Sequence, residues 1–588
     1  MIEKYYEDEL RYLYESGKEF AKAYPDRAQF LNIDAVGDRD PYVERLFEGF
    51  AFLTGRIREK IDDSFPELTE GLINLMWPNF LHEFPSTTIV QFAPRKGFLQ
   101  ETRTLPRGSE LLSGPAGAER AICKFTTTTD VRLNPITLER VEKTSLTGAK
   151  ASLALHFQFG PGAQWKNLKL SPLRLYLHAE LPTALMLYDF LTSRVSSCRV
   201  VVGDNVFSFT IDAETAITPG GFSGDESILP LDSRSFQGYS LLQEYFAFPE
   251  KFFFVDLNGL ESSPAPDPSP QRFSVHFTFD ADFPPDKQFT KDNFRLFCSP
   301  AANLFKKSVE PVVYDGKETQ YRIVADAGYP ASVRPHSIIS VVGIDRTSGA
   351  RTAFESLYAF TALAKNKMRT YAPQYRVSPG GNRELYVTFG GELLEAGPQG
   401  PASRLQEINC TIDAWCTNGV IPREEIRDNG ITNPGASFPD FVTFTNITRP
   451  TLPVMPPADG EYLWVFLSHL SSTFTSLSSP ATLKPLLRLY DWSGSEGRGR
   501  KIDAITEVSS KPVEQVVNGA SLRGVEFTCG VQETSFLDIG DVRLFGQVLK
   551  EFLAHYISIN TFLELAIVLK PSGTTIRWNS LKGKKWPI

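Results

Sequence analysis

The side chains best suited to chemistry are scattered through this sequence rather than grouped. Its seven histidines, His82, His156, His178, His276, His336, His469 and His555, are too far apart in sequence to suggest a local metal pair. The HExxH pattern, which sets two imidazoles one helical turn apart to hold zinc, is absent. So are the GxxxxGK[ST] loop that cradles phosphate and the GxSxG nucleophile elbow. Gly494–Gly499 (GSEGRG) is glycine-rich but has no lysine and no clear strand–loop–helix setting, so it reads as a flexible loop. Asp62 and Asp63 are adjacent acids at a helix end, and neighbouring helical residues point in different directions, which argues against a catalytic dyad. Asp267 and Asp280 fit turn preference. Glycoside hydrolysis would need two carboxylates about 5–9 Å apart, and nothing selects such a pair. The six cysteines contain no CxxC; Cys410 and Cys416 lie in a strand-like stretch and read as reduced core residues. The sequence thus selects no catalytic, cofactor-binding or metal-binding residue, and a β-rich carbohydrate-active enzyme remains only a remote alternative.

The elements are more informative than the reactive groups. The 588 residues carry a net charge of −8 with acids and bases mixed, which leaves no basic footprint for nucleic acid. Arg498–Lys501 (RGRK) reads as a solvated loop and Lys582–Lys585 (KGKK) as a solvated tail. The start, MIEKYYEDEL, lacks the basic and apolar regions of a signal peptide. The longest apolar runs, Tyr462–Leu470 and Phe562–Leu569, are strand-sized and far short of the ~18 residues a membrane span needs. These features predict a soluble cytoplasmic protein. With 44 Phe and many Gly and Pro, the composition favours short strands and turns.

Helical periodicity dominates the start. Tyr6, Leu10, Leu13, Gly17, Phe20 and Tyr24 predict a helix over residues 3–24, stopped by Pro25. Asp40-Pro41 predicts a second start, with Asp40 as cap and Pro41 where no amide hydrogen is missed. Val43, Leu46, Phe47, Phe50, Leu53, Ile57 and Ile61 then form one apolar stripe, with Arg45, Glu48 and Arg56 on other faces. Pro66 opens a third helix carrying Leu68, Leu72, Leu75 and Met76, and Pro78 closes it. From Thr87 the period changes to two: strands are predicted at Thr88–Phe92, Cys123–Thr128, Val131–Leu133, Leu153–Phe159, Leu173–Leu177, Phe273–Phe279 and Leu385–Phe389. Short helices are predicted at Ala184–Ser193 and Ser240–Phe246, and a longer one at Asp541–Tyr556 before a strand at Thr561–Lys570. The fold class is therefore α+β: a helical N-terminal region, a β-rich multidomain body and a C-terminal helix–strand unit. Proline-rich segments at Ser262–Pro270, Gly397–Ala402 and Pro450–Pro457 read as long surface loops or as linkers, and approximate units run over 1–86, 87–265, 266–450 and 451–588. The apolar stripe can serve as this chain's own core or as a surface for other chains; periodicity alone leaves both open.

A distributed set of residues resembles the TssF (VasA/ImpG) family of type VI secretion baseplate subunits. Tyr5-Tyr6-Glu7-x-Glu9-Leu10 is similar to that family's opening, and Asp40-Pro41-x-Val43-Glu44-Arg45-Leu46 with Glu48-Gly49-Phe50-Ala51-Phe52-Leu53 to its signature helix. Asp62-Asp63-x-Phe65-Pro66-Glu67, Pro85-Ser86, Tyr245–Phe252 (YFAFPEKF), Asn303-Leu304-Phe305, Cys416-Thr417-Asn418 and Ser558–Phe562 (SINTF) follow in order over the full length. The chain departs from the pattern at Gly419-Val420-Ile421-Pro422, where the family more often has an arginine and a Leu-Pro. The resemblance implies a non-enzymatic wedge subunit without cofactors. It implies that two copies join one TssG, with TssK and TssE attached, around the VgrG hub at the cytoplasmic face of the inner membrane, touching the membrane complex indirectly. It also implies a bundle shared by helices of three chains, for which Val43, Leu46, Phe47, Phe50, Leu53, Ile57, Ile61, Leu72 and Met76 are the expected interface residues. A wedge protein of a contractile phage tail is the alternative within the same class.

Overall fold

A computed structural model describes residues 6–7, 9–14, 16–17 and 41–585, apart from 63–65, 96, 145–150, 204–206, 231–235, 262–269, 347, 359–368, 378–382, 391–393, 398–399, 406, 458–459, 471–473 and 518–519. The expected stop at Pro25, the cap at Asp40 and the loop at 262–269 lie outside the described residues. The longer helices are α1 (Pro41–Asp62), α2 (Pro66–Met76), α3 (Leu181–Ser193), α4 (Gln237–Ala247), α5 (Gly460–Leu470), α6 (Pro480–Tyr490), α7 (Glu496–Asp503) and α8 (Ile539–Ala554). Chain contacts divide the molecule into one unit of Met1–Ile73 with Pro457–Leu470 and a second of Asn74–Pro456 with Ser471–Ile588.

The first unit is helical where it is described. Residues 6–7, 9–14 and 16–17 are helical, followed by α1, most of α2, and α5. α1 and α2 begin at the prolines that predicted them, because a proline at the first helical position loses no hydrogen bond. α5 differs from the expectation: Tyr462–Leu470 is helix, not strand. Its residues are apolar nearly all round, and a short run of that kind carries no period to separate the two states.

The second unit is built from sheets whose strands are distant in sequence. A six-stranded sheet places Thr87–Pro94 between Cys298–Ala302 and Val442–Asn446, both antiparallel to it. A five-stranded sheet sets Arg272–Phe279 between Ser152–Phe159 and Val195–Val202. Strands on the two sides of residues 265/266 therefore share sheets, which no linker composition could reveal. A further sheet runs from Phe305–Ser308 through Ile408–Thr417 and Arg334–Asp345. Cys410, Ile412, Ala414 and Cys416 alternate into its core, as the strand-like spacing of the two cysteines predicts. At the C-terminus Ala520–Gln532 and Phe562–Lys570 are parallel, and parallel neighbours need a crossover. α8 lies between them in sequence and supplies it. Gly546 of α8 has no room for a side chain: a Cβ there would stand 2.2 Å from the Trp578 ring.

Two segments expected to be solvated are docked. Arg498–Lys501 lies in α7, where Lys501 pairs with the buried Asp541 at 2.5 Å and Arg498 donates to the carbonyl of Phe246. Lys584 reaches Glu551 of α8 at 2.8 Å, and the amide of Lys585 donates to the carbonyl of Ile557. Both segments looked like free charge because their partners are distant in sequence.

Directly after α2 the chain is pinned by aromatic packing. Trp77 and Phe80 are each 1% exposed. Trp77 lies 5.7 Å from Tyr239 and 5.8 Å from Tyr490, which stack on each other at 5.4 Å. Truncating a buried Trp costs about 3–5 kcal/mol, so Trp77→Ala should lower the unfolding free energy of the second unit by that order in a denaturant titration.

A second anchor follows. His82 and His336 are buried with rings 5.0 Å apart. The Nε2 of His336 lies 2.9 Å from the Glu83 carbonyl, and the Tyr375 ring meets His82 edge-on. Burial, together with the mutual repulsion of the rings and the charge of Arg383, holds His82 well below the usual histidine range. Burial also lowers His336, partly opposed by Glu83. The folded chain thus keeps both rings neutral, while the unfolded chain takes up protons below about pH 6.5. Their contribution to stability is complete above that pH and is lost as acid brings the pH down toward the folded-state values. Thermal melts between pH 8 and pH 5 should show a falling midpoint below about pH 6.5, shallower in His82→Gln than in the native chain.

Candidate partner-docking face

α1 turns about 100° per residue, so its residues sort into faces. Ala51 is fully buried and Gly55, one turn on, is buried beside it. Phe47, on the edge of this face, is half-buried and lies 5.9 Å from Tyr14. Among the described side chains of α1, those that are buried are thus small. The opposite side carries the predicted stripe: Leu46 is 68% exposed, Phe50 55%, Leu53 60% and Ile57 58%. Val43 and Ile61 fall on the same band of α1 by spacing; their side chains lie outside the described residues. The hydroxyl of Thr54 donates to the Phe50 carbonyl at 2.6 Å, which keeps this short polar side chain satisfied within the helix.

α2 repeats the arrangement. Ile73 is fully buried, whereas Leu72 is 39% exposed and Met76 45%. Apolar residues outside the expected set are also exposed, among them Tyr42 and Phe52 on α1, Leu75 on α2, and Trp464 and Val465 on α5. Trp464 was hidden from sequence reasoning because its run reads as a strand, which would split its neighbours between two faces. The helical spacing of Tyr462, Phe466 and His469 was the signal available.

Magnitudes decide what such a face can do. Burying a large apolar side chain contributes ~1.5–3 kcal/mol. Covering the exposed part of Leu46, Phe50, Leu53 and Ile57 would contribute roughly 4–7 kcal/mol on that scale. Association costs about 4–15 kcal/mol in lost freedom, so this stripe holds a partner only as part of a wider apolar surface. Among the described residues no group of three His, Cys, Asp or Glu side chains is placed to hold a metal. No described helix is long and apolar enough to cross a membrane.

A family model described as "Type VI secretion system, TssF" matches residues 1–585. The chain belongs to the TssF family. It is 30% identical to the type VI secretion system component TssF1 of Pseudomonas aeruginosa, over 99% of this chain and 98% of that one. Two solved structures contain chains similar to it. One is a TssK-TssF-TssG baseplate subcomplex, in which the matching chain is 30% identical, superposes with a TM-score of 0.77 and is covered in full by 93% of this chain. The other is the baseplate complex of a type VI secretion system, with 31% identity and a TM-score of 0.66 over the whole of both chains. TssF is a component of the baseplate, and this places the chain with the secretion system rather than with phage tails. The β-rich α+β architecture expected from the sequence is the architecture observed.

Proposed function

We propose that the chain is a structural wedge subunit of a type VI secretion baseplate, assembling with TssG and TssK and supporting sheath assembly and contraction. The exposed apolar stripe Leu46–Phe50–Leu53–Ile57 carries this reading, because a face of that kind on a baseplate component calls for other chains to cover it. Two copies of the chain contribute α1 and α2 to a bundle shared with one TssG. Val43, Leu46, Phe47, Phe50, Leu53, Ile57, Ile61, Leu72 and Met76 are its contact residues, with Phe47 also holding the chain's own first helix. TssE and TssK attach to this core, and wedges assemble around the VgrG hub at the cytoplasmic face of the inner membrane. The role is scaffolding rather than catalysis. Co-expression with the neighbouring subunits followed by native mass measurement tests the stoichiometry: a stable complex of two such chains with one TssG supports it, and a lone monomer refutes it.

A further inference from the structure

A cavity of about 360 Å³ lies in the second unit, lined by residues of α3, α8 and the strand Thr575–Lys582. α8 presents Arg543, Gln547 and Lys550 to it, and the spacing of four and then three residues places them on one helical face. Lys550 is only 8% exposed, and among the described residues its ammonium makes no hydrogen bond and no ion pair within 4 Å. Its acidic neighbour Glu551 is already engaged, by Lys584 at 2.8 Å and by Gln547 at 3.1 Å.

The surrounding carboxylates are also shared. Asp189 serves both Arg194 at 2.6 Å and Arg543 at 3.3 Å. Glu526 serves both Lys511 and Arg577, each at 2.6 Å. Arg543 lies over the Trp578 ring at 5.4 Å, which fixes its plane at the cavity wall. None of these carboxylates lines the cavity itself; the acid in its lining is Glu214, which is exposed to solvent. Positive charge therefore exceeds negative charge around this polar cavity, and a largely buried lysine whose neighbouring carboxylate, Glu551, is shared with Lys584 is costly. Burial, with the charge of Lys584, holds Lys550 below the ordinary lysine range, partly opposed by Glu551.

We infer that this cavity is an oxyanion site, in which a carboxylate or phosphate group from outside the chain completes Lys550, with Arg543 and Gln547 as further donors. The group can come as a free ion or as the acidic side chain of a neighbouring subunit, and the two sources share this chemistry.

The test uses the full-length chain and inorganic phosphate, with sodium chloride at matched ionic strength as control. The native chain should show a saturable rise in melting temperature with phosphate. Lys550→Met should lose it while remaining folded, since the change removes a desolvated charge; Lys550→Arg should keep it, and Lys550→Gln serves as a second charge-free variant. The same titration on the complex co-purified with TssG and TssK separates the sources. A retained response points to a free ion. A lost response, with a complex at least tenfold weaker in Lys550→Met, points to a neighbour's carboxylate. No saturable response in the isolated native chain, or an undiminished one in both charge-free variants, overturns the site.

Discussion

Phe50→Asp should abolish co-purification of this chain with TssG while leaving the isolated chain folded. Phe50 is 55% exposed, so the isolated fold gains little from its ring, and an aspartate there stays in water. In the assembly the same carboxylate would enter an apolar interface without a partner, a cost of several kcal/mol added to the ~1.5–3 kcal/mol lost with the ring. The combined effect exceeds a thousandfold in affinity. Ala51→Asp is the informative contrast. Ala51 is fully buried on the inward face, so that change should destabilise the isolated helical unit itself. Circular dichroism and a pull-down with TssG separate the two outcomes. An unfolded Phe50→Asp chain would assign the stripe to the chain's own core.

A large loss of stability, of the same order as that of Trp77→Ala, should come from Lys251→Met. Lys251 pairs with Glu244, and their side chains are 2% and 3% exposed. Glu244 also accepts from the Ser227 hydroxyl at 2.8 Å and from the amide of Ile228 at 2.6 Å. Removing the lysine leaves a buried carboxylate with dipolar partners only, and breaking a buried pair in this way costs about 3–5 kcal/mol. The denaturation midpoint of the second unit should fall accordingly. Pairing Lys251→Met with Glu244→Gln should recover much of the loss, because the replacement of both charges removes the unpaired ion. A double-mutant cycle in urea measures the coupling, and additive losses would contradict it.

These two sites also show what the sequence could and could not disclose. The starts of α1 and α2 were legible because Pro41 and Pro66 act locally, and Leu173–Leu177 because its alternation is local too. The stripe on α1 was legible as a face, but a period says only that a face is apolar, not what covers it. The inward face was the opposite one, built from Ala51 and Gly55, and its small residues give almost no hydrophobic signal. Lys251 and Glu244 lie seven residues apart in YFAFPEKF and its approach, yet nothing in their spacing marks them as buried. α7 was read as a loop because Gly497 and Gly499 have poor helix propensity, whereas Lys501–Asp541 and the bond from Arg498 to the Phe246 carbonyl hold it in place from a distance. The pairing of Thr87–Pro94 with Val442–Asn446 is of the same kind, since an alternating pattern sets a strand's faces but does not name its neighbour.

The central claim is that the outer stripe of α1 is covered by other chains in the assembled baseplate. Hydroxyl-radical footprinting of the isolated chain and of the chain co-purified with TssG and TssK measures this side chain by side chain. The account predicts that Leu46, Phe50, Leu53 and Ile57 are labelled in the isolated chain and protected in the complex. Equal labelling of all four in both states would contradict it.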